Sequence, residues 1–101
     1  MLMPGAKLPA FDWDDANRGH IARHGVTEAE AEQVVVGASL PVVTDERGGE
    51  DRHTELGETT EGRLLLVVWT WRRRRIRVVT AFPAKRKWRT LWRRINGEHD
   101  A

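Results

Sequence analysis

The stretch Arg63 to Ile95, RLLLVVWTWRRRRIRVVTAFPAKRKWRTLWRRI, decides the fold. Its apolar runs, Leu64 to Trp71 and Ile76 to Ala81, have strand length, are rich in branched and aromatic residues, and are separated only by Arg72 to Arg75. Two such runs joined by a short connection predict an antiparallel hairpin. No Gly or Asn marks the turn, and its four guanidiniums repel one another unless solvent or a bound anion relieves them. Pro83 cannot continue a ladder but suits the first turn of a helix, and Trp88, Leu91, Trp92 and Ile95 then recur at i, i+3, i+4 and i+7. That spacing predicts a terminal helix docking its two tryptophans on the sheet. Lys85, Arg86, Lys87, Arg89, Arg93 and Arg94 would face outward, and Asn96-Gly97 would stop the helix.

Working back toward the start, residues 1–10 read as a mobile lead-in with two prolines and a glycine. Asp12 or Asp14 can cap a helix containing Trp13, Asn17, His20, Ile21 and His24, ended by Gly25. Thr27 and Glu30 form a capping box with Val26 and Ala31 placed as its staple, so a second helix should run to about Val36, before Gly37. Leu40 to Val43 is a short strand, Asp45 to Asp51 a polar glycine turn, His53 to Gly57 an edge strand, and Glu58 to Gly62 the turn into the long hairpin. The expected fold is α+β, a single domain over residues 1–101. It has two N-terminal helices, a three- to four-stranded antiparallel meander and a basic C-terminal helix.

A chain of 101 residues suits one modest core, and the absence of cysteine removes disulfides, thiol catalysis and Cys-based zinc sites. No apolar run reaches membrane-spanning length, and the start is too weakly apolar for a signal peptide, so a cytoplasmic location is expected. The net charge of +2 hides an asymmetry. Residues 1–62 hold 5 Lys and Arg against 13 Asp and Glu, and residues 63–101 hold 12 against 2. Acidic helices facing basic elements would absorb part of this, and the remainder suggests a polyanionic or acidic partner.

His20 and His24 lie one helical turn apart, a pair that can bind a metal or move protons. With no third ligand and no accompanying Glu motif, packing and hydrogen bonding is the better reading, and no cofactor or metal is expected. There is no Walker loop, G-x-G-x-x-G, G-x-S-x-G or H-E-x-x-H, so nucleotide binding, serine hydrolysis and zinc proteolysis have no support. Trp69 and Trp71 alternate onto one strand face; Trp69 reads as core, and Trp71 as core or as a stacking platform for a base.

Three segments together, WDDANRGHIARHGVTEAEAEQVV, LGETTEGRLLLVVWT and IRVVTAFPAKRKWRTLW, resemble the BrnT family of type II toxins across roughly residues 11–93. The resemblance implies a fold similar to the RelE ribonucleases, metal-independent cleavage of RNA, and neutralisation by a small DNA-binding antitoxin, expected to be of ribbon-helix-helix type. Arg77 matches the arginine of the family's I-R-x-I-S/T-A strand and Thr80 its hydroxyl position, while Arg86 and Arg89 fall in its basic helix start. Phe82, Trp88 and Trp92 stand where many members carry an arginine, a glutamate and a tyrosine.

Cleaving RNA without a metal needs a base for the 2′-hydroxyl proton, cations for the developing phosphorane charge, and an acid for the leaving oxygen. Imidazoles and carboxylates have ordinary pKa values near that task, whereas arginine acts as an electrostatic clamp. The candidate catalytic set is Arg77, His20, His53 and Arg89, and the candidate RNA-binding set Arg75, Thr80, Lys85, Arg86 and Trp71. Arg77 either pairs internally with an acidic helix or lies on an open face among Val79 and Ala81, and the open face is the expectation. A toxin ribonuclease and a non-catalytic module that binds RNA or an acidic protein on the same surface both remain open. A weaker third reading makes the basic, tryptophan-rich terminal helix a membrane-surface element.

Overall fold

The computed structural model describes residues 9–97; most of the expected lead-in, residues 1–8, lies outside the described residues. Helices α1 (Asp15–Ala22), α2 (Glu28–Val36) and α3 (Arg86–Ile95) flank a sheet of β1 (Leu40–Arg47), β2 (Glu50–Glu58), β3 (Leu64–Arg72) and β4 (Arg75–Pro83). The strands pair antiparallel in the order β1-β2-β3-β4, so the chain adopts the α+β meander expected from its sequence. No described helix is long and apolar enough to cross a membrane.

Both N-terminal helices start where reciprocal caps satisfy their first N–H groups. Asn17 N–H donates to Asp14 Oδ1 at 3.1 Å and Asp14 N–H donates to Asn17 Oδ1 at 2.8 Å. Because Asp14 is the cap and Arg23 the other end, Trp13 and His24 fall outside α1, contrary to expectation. Trp13 instead donates its indole N–H to Glu32 at 2.8 Å, tying the lead-in to α2. For α2, Thr27 N–H donates to Glu30 and Glu30 N–H donates to Thr27 Oγ1, over buried Val26 and Ala31. The Thr27 backbone N–H, aided by the Arg63 guanidinium at 3.0 Å, holds the Glu30 carboxyl below its ordinary range against the opposing effect of burial.

The β3–β4 connection is tighter than four residues. Arg72 pairs with Arg75, so Arg73 and Arg74 alone turn the chain, with φ of 52° and 65°. Two-residue turns that match strand twist need such left-handed φ values, which β-carbons resist at roughly 1–2 kcal/mol each. Pro83, expected to open the helix, is instead the last residue of β4, opposite Leu65. On an edge strand its missing N–H costs no ladder bond, and α3 starts after Lys85.

The β1–β2 hairpin is longer than its sequence suggests, with only Gly48 and Gly49 left in the turn, at φ of 58° and 83°. Asp45 lies opposite Arg52 and Arg47 opposite Glu50 in the ladder, but the ion pairs that form are Arg47 with Asp45 along β1 and Glu50 with Arg72 of β3. The segment expected as an edge strand, His53 to Gly57, is therefore part of interior β2, and β1 is the edge.

A core forms on each face of the sheet. Leu65, Val67, Val78 and Ala81 pack under α1 and α2 with Ile21, Val26, Ala31 and Val34, and Leu56 and Leu66 pack under α3 with Ala84 and Trp92. A bulge separates the two halves of β4: Val68 lies opposite Thr80 but Trp69 opposite Val78, leaving Val79 as the extra residue. Simple alternation put Ile76, Val78 and Thr80 on one face. The bulge instead keeps Val78 with Ala81 beneath the N-terminal helices and sends Thr80 to the α3 side.

Candidate functional site

Only part of its sheet face is covered by α3. Beyond Leu56, Leu66 and Phe82, alternation along the strands brings Thr54, Val68 and Thr80, and then Arg52 and Arg77, onto the same face. Along the outer edge of β4 runs the segment that leads into α1. Asp12 N–H donates to Ile76 O at 2.8 Å, Ile76 N–H to Ala10 O at 2.9 Å, and Asn17 Nδ2 to Val78 O at 3.0 Å. These bonds cover the edge at Ile76 and Val78 and bring the end of α1, with His20 and the following His24, to the rim of the open sheet face.

Two concavities lie side by side there. The larger, about 790 Å³, is lined by His24, Thr80, Phe82, Lys85, Arg86 and Arg89 among others. Its polar groups come from three elements: His24 from the chain after α1, Thr80 from β4 after the bulge, and the cations from the start of α3. Arg89 is held by donation from Nε to Ala84 O at 3.2 Å, and the His24 ring lies 5.8 Å from the rings of both Phe82 and His20. The smaller cleft, about 270 Å³, is lined by Asn17, His20, Glu50, Arg52, Arg72 and Arg77 with parts of β4. The two adjoin, since Val79 lines the cleft and Thr80 the hollow, and His20 and His24 divide in the same way.

Arg77 lies on the open side of the sheet but is not free there. Its side chain is only 14% exposed, with Nη1 3.0 Å from Asp14 and 3.6 Å from Asp12, so the internal-pairing alternative is the one adopted. The Arg77 hydrogen bond, followed by the Asn17 N–H, holds the Asp14 carboxyl below its ordinary range, and Asp14 in turn raises Arg77. Arg77 thus ties the start of α1 to β4 while lining the cleft beside His20.

Of the residues singled out from sequence, His20 and Arg77 share the cleft, and Thr80, Lys85, Arg86 and Arg89 share the hollow. Arg75 is exposed at the start of β4 and lines neither. His53 and Trp71 are not brought to this site. His53 pairs with Trp69 across β2 and β3, their rings 4.5 Å apart, and Trp71 meets Trp69 edge-on at 5.4 Å. The bulge lies in β4, so β3 keeps its alternation, and both tryptophans stay on the face of Leu65 and Val67. Trp69 is buried there as expected, donating to Glu55 at 3.1 Å, and Trp71 is 50% exposed. Sequence reasoning missed Arg52 and read Arg72 only as part of the arginine turn; reading β2 as an interior strand would have placed Arg52 on the face of Leu56.

The apolar residues Phe82, Trp88 and Trp92 are built into the second core: Trp92 is buried, donates its indole N–H to Glu58 at 3.1 Å, and has Phe82 and Trp88 packed around its cluster. Among the described residues, no group of three or more His, Cys, Asp or Glu side chains comes together as a metal site would need. What the open face offers is imidazole and hydroxyl beside a bank of guanidiniums, groups suited to moving a proton and holding a phosphate. Residues 13–87 match the family model described as ribonuclease toxin, BrnT, of type II toxin-antitoxin system. No curated protein matches the chain.

Proposed function

The chain belongs to the BrnT family of ribonuclease toxins of type II toxin-antitoxin systems, and from that premise we propose that it is a metal-independent endoribonuclease acting through the open sheet face. The observation that carries this reading is the meeting of His24 and Thr80 with Lys85, Arg86 and Arg89 in one hollow, beside His20 and Arg77 in the adjoining cleft. In the proposed reaction, one imidazole of the His20 and His24 pair takes the 2′-hydroxyl proton, and the 2′-oxygen attacks the adjacent phosphorus. Arg77, Arg86 and Arg89 stabilise the charge that builds on the non-bridging oxygens, and the 5′-oxygen leaves with a proton from the other imidazole. Thr80 orients a phosphate oxygen by donating its hydroxyl. The products are a 2′,3′-cyclic phosphate and a 5′-hydroxyl.

The test is incubation of the purified protein with a defined RNA in excess EDTA, followed by analysis of the product ends. Cleavage should persist and leave cyclic or 3′-phosphate ends. Activity that is lost in EDTA and restored by Mg²⁺ or Mn²⁺ would count against the mechanism. The second reading, a binder without catalysis, draws on Phe82 and Trp92, which serve packing where the family pattern that the sequence resembles has polar groups. RNA retained on the protein but left intact would favour it.

A type II toxin has an antitoxin as its protein partner. In our reading this is a small DNA-binding protein of ribbon-helix-helix type whose acidic segment covers the cations of α3 and β4, because occluding them excludes RNA most directly. Binding of antitoxin and of RNA should therefore be mutually exclusive. A ternary complex that survives gel filtration at low salt would overturn the shared surface. Trp71, half-exposed on the opposite face, would then stack a base only if the RNA wraps past the Arg73–Arg74 turn.

A further inference from the structure

Arg52 is the anomaly of the cleft. Its Nε is buried and, among the described residues, has no hydrogen-bond partner. Buried polar groups are nearly always paired, and a charged donor left otherwise points to something that completes it. The neighbouring guanidiniums are already satisfied: Arg72 reaches both oxygens of Glu50 at 3.2 and 3.3 Å, and Arg77 holds Asp14 at 3.0 Å. Across the ladder, the Asp45 carboxylate lies 3.6 Å from Arg47, and Arg52 itself forms no ion pair among the described residues. The cleft thus holds three guanidiniums against one lining carboxylate, and the cation without a counter-charge is Arg52.

We infer that this cleft is a second phosphate subsite for the RNA chain, anchored by Arg52 and adjoining the hollow in which the scissile phosphate would lie. The inference rests on the ribonuclease reading for its ligand, because a strand seated at His24 and Thr80 passes to the cleft over consecutive residues of β4. A guanidinium fork suits phosphate oxygens, and a cleft of about 270 Å³ has room for a phosphate group, since a water molecule takes up about 30 Å³ of liquid. Arg72 remains tied to Glu50 and walls the cleft, while Arg77, fixed by Asp14, serves the scissile phosphate next door in the proposed reaction. Arg52 is then a binding residue for the flanking nucleotide and takes no part in proton transfer.

The experiment follows the arginine Nε–H resonances of the ¹⁵N-labelled full chain during titration with inorganic phosphate, and then with a 2′-O-methyl trinucleotide, which has the phosphates but cannot be cleaved. The Arg52 Nε–H should shift saturably with both. Arg52→Gln, checked to melt with the parent, should bind the trinucleotide at least ~10-fold more weakly while its Arg89 Nε–H still responds, and Arg52→Lys should recover part of the loss. An unmoved Arg52 resonance, or undiminished trinucleotide binding by Arg52→Gln, would overturn the subsite. So would a shift produced by an acidic decapeptide and not by the trinucleotide, which would assign the cleft to a protein partner. Cleavage of unmodified RNA by the parent is scored separately. RNA cleaved with Arg52 silent sinks the subsite alone, and a saturable Arg52 shift with RNA left intact sinks only the ribonuclease reading.

Discussion

Trp92→Ala should unfold the protein at a far lower temperature than the parent, with a loss of about 3 to 5 kcal/mol out of a total stability of about 5 to 15. The indole is 9% exposed and sits at the centre of the second core, with Leu56, Leu66 and Ala84 buried beside it. Leu56 and Leu66 lie on the sheet face that α3 covers, and Ala84 in the connection to it, so removing the ring exposes apolar surface on both partners. Nothing else on α3 can substitute. Trp88 and Leu91 are only partly buried, Ile95 is 53% exposed, and the rest of the helix is polar. The indole N–H bond to Glu58 adds orientation but little energy, because that carboxylate is exposed. With about 4 to 8 °C of melting temperature per kcal/mol in a domain of this size, the circular dichroism melt should fall by well over 10 °C. A melt within about 2 °C of the parent would mean that α3 is an appendage and that the first core carries the fold alone.

The prominence of Trp92 could be read from its spacing, and so could most of the architecture. The apolar runs of β3 and β4, the Thr27–Glu30 box and the i, i+4 tryptophans all express themselves locally, and each forms where its pattern says. The failures share a different cause. Pro83 is compatible with both a strand end and a helix start, and only its pairing with Leu65 decides between them. The β1–β2 hairpin is built largely from charged residues, and a backbone ladder made of them leaves no periodic apolar trace. The Val79 bulge lies in the apolar run RVVT, where an extra residue does not interrupt the pattern yet reverses every face after it.

That reversal decided how much of the candidate site was legible. The cations of α3 could be found because family resemblance and helix amphipathicity both pointed to them, and Thr80 because the resemblance did. Arg52 could not, because its importance depends on β2 being interior and on a cleft formed jointly with α1. His53 was chosen for its imidazole alone, and the ladder sends it across the sheet to Trp69. The four-arginine turn likewise reads as an anion trap, yet Arg72 is already paired with Glu50. Among the three guanidiniums of the cleft, the unpaired one is Arg52, one strand away from Arg72.

Arg77→Ala should lose on two counts that are separable by pH. As a clamp on the developing phosphorane charge, its removal should slow RNA cleavage by about 10² to 10³, the range found when a preorganised donor is deleted. As the tie between Asp12, Asp14 and β4, its removal should also lower the melting temperature at neutral pH, which the open-face expectation would not have required. The sign of the acid dependence follows from Asp14. Its folded pKa lies below the ordinary 3.8, so its contribution is complete above that value and is lost as pH falls through the depressed folded pKa. The gap in melting temperature between parent and variant should therefore be widest near neutrality and should close below about pH 3.8, while the effect of Glu30, common to both, cancels. Arg77→Lys keeps the charge but cannot span two carboxylates with one rigid fork, so it should restore part of the cleavage rate and little of the stability. If Arg77→Ala melts lower but cleaves at the parental rate well below its melting point, the residue is a structural tie and the phosphate is held by α3 and Arg52. If instead it melts with the parent at neutral pH, the pairing with Asp14 contributes nothing and the cleft wall is held by Asn17 alone.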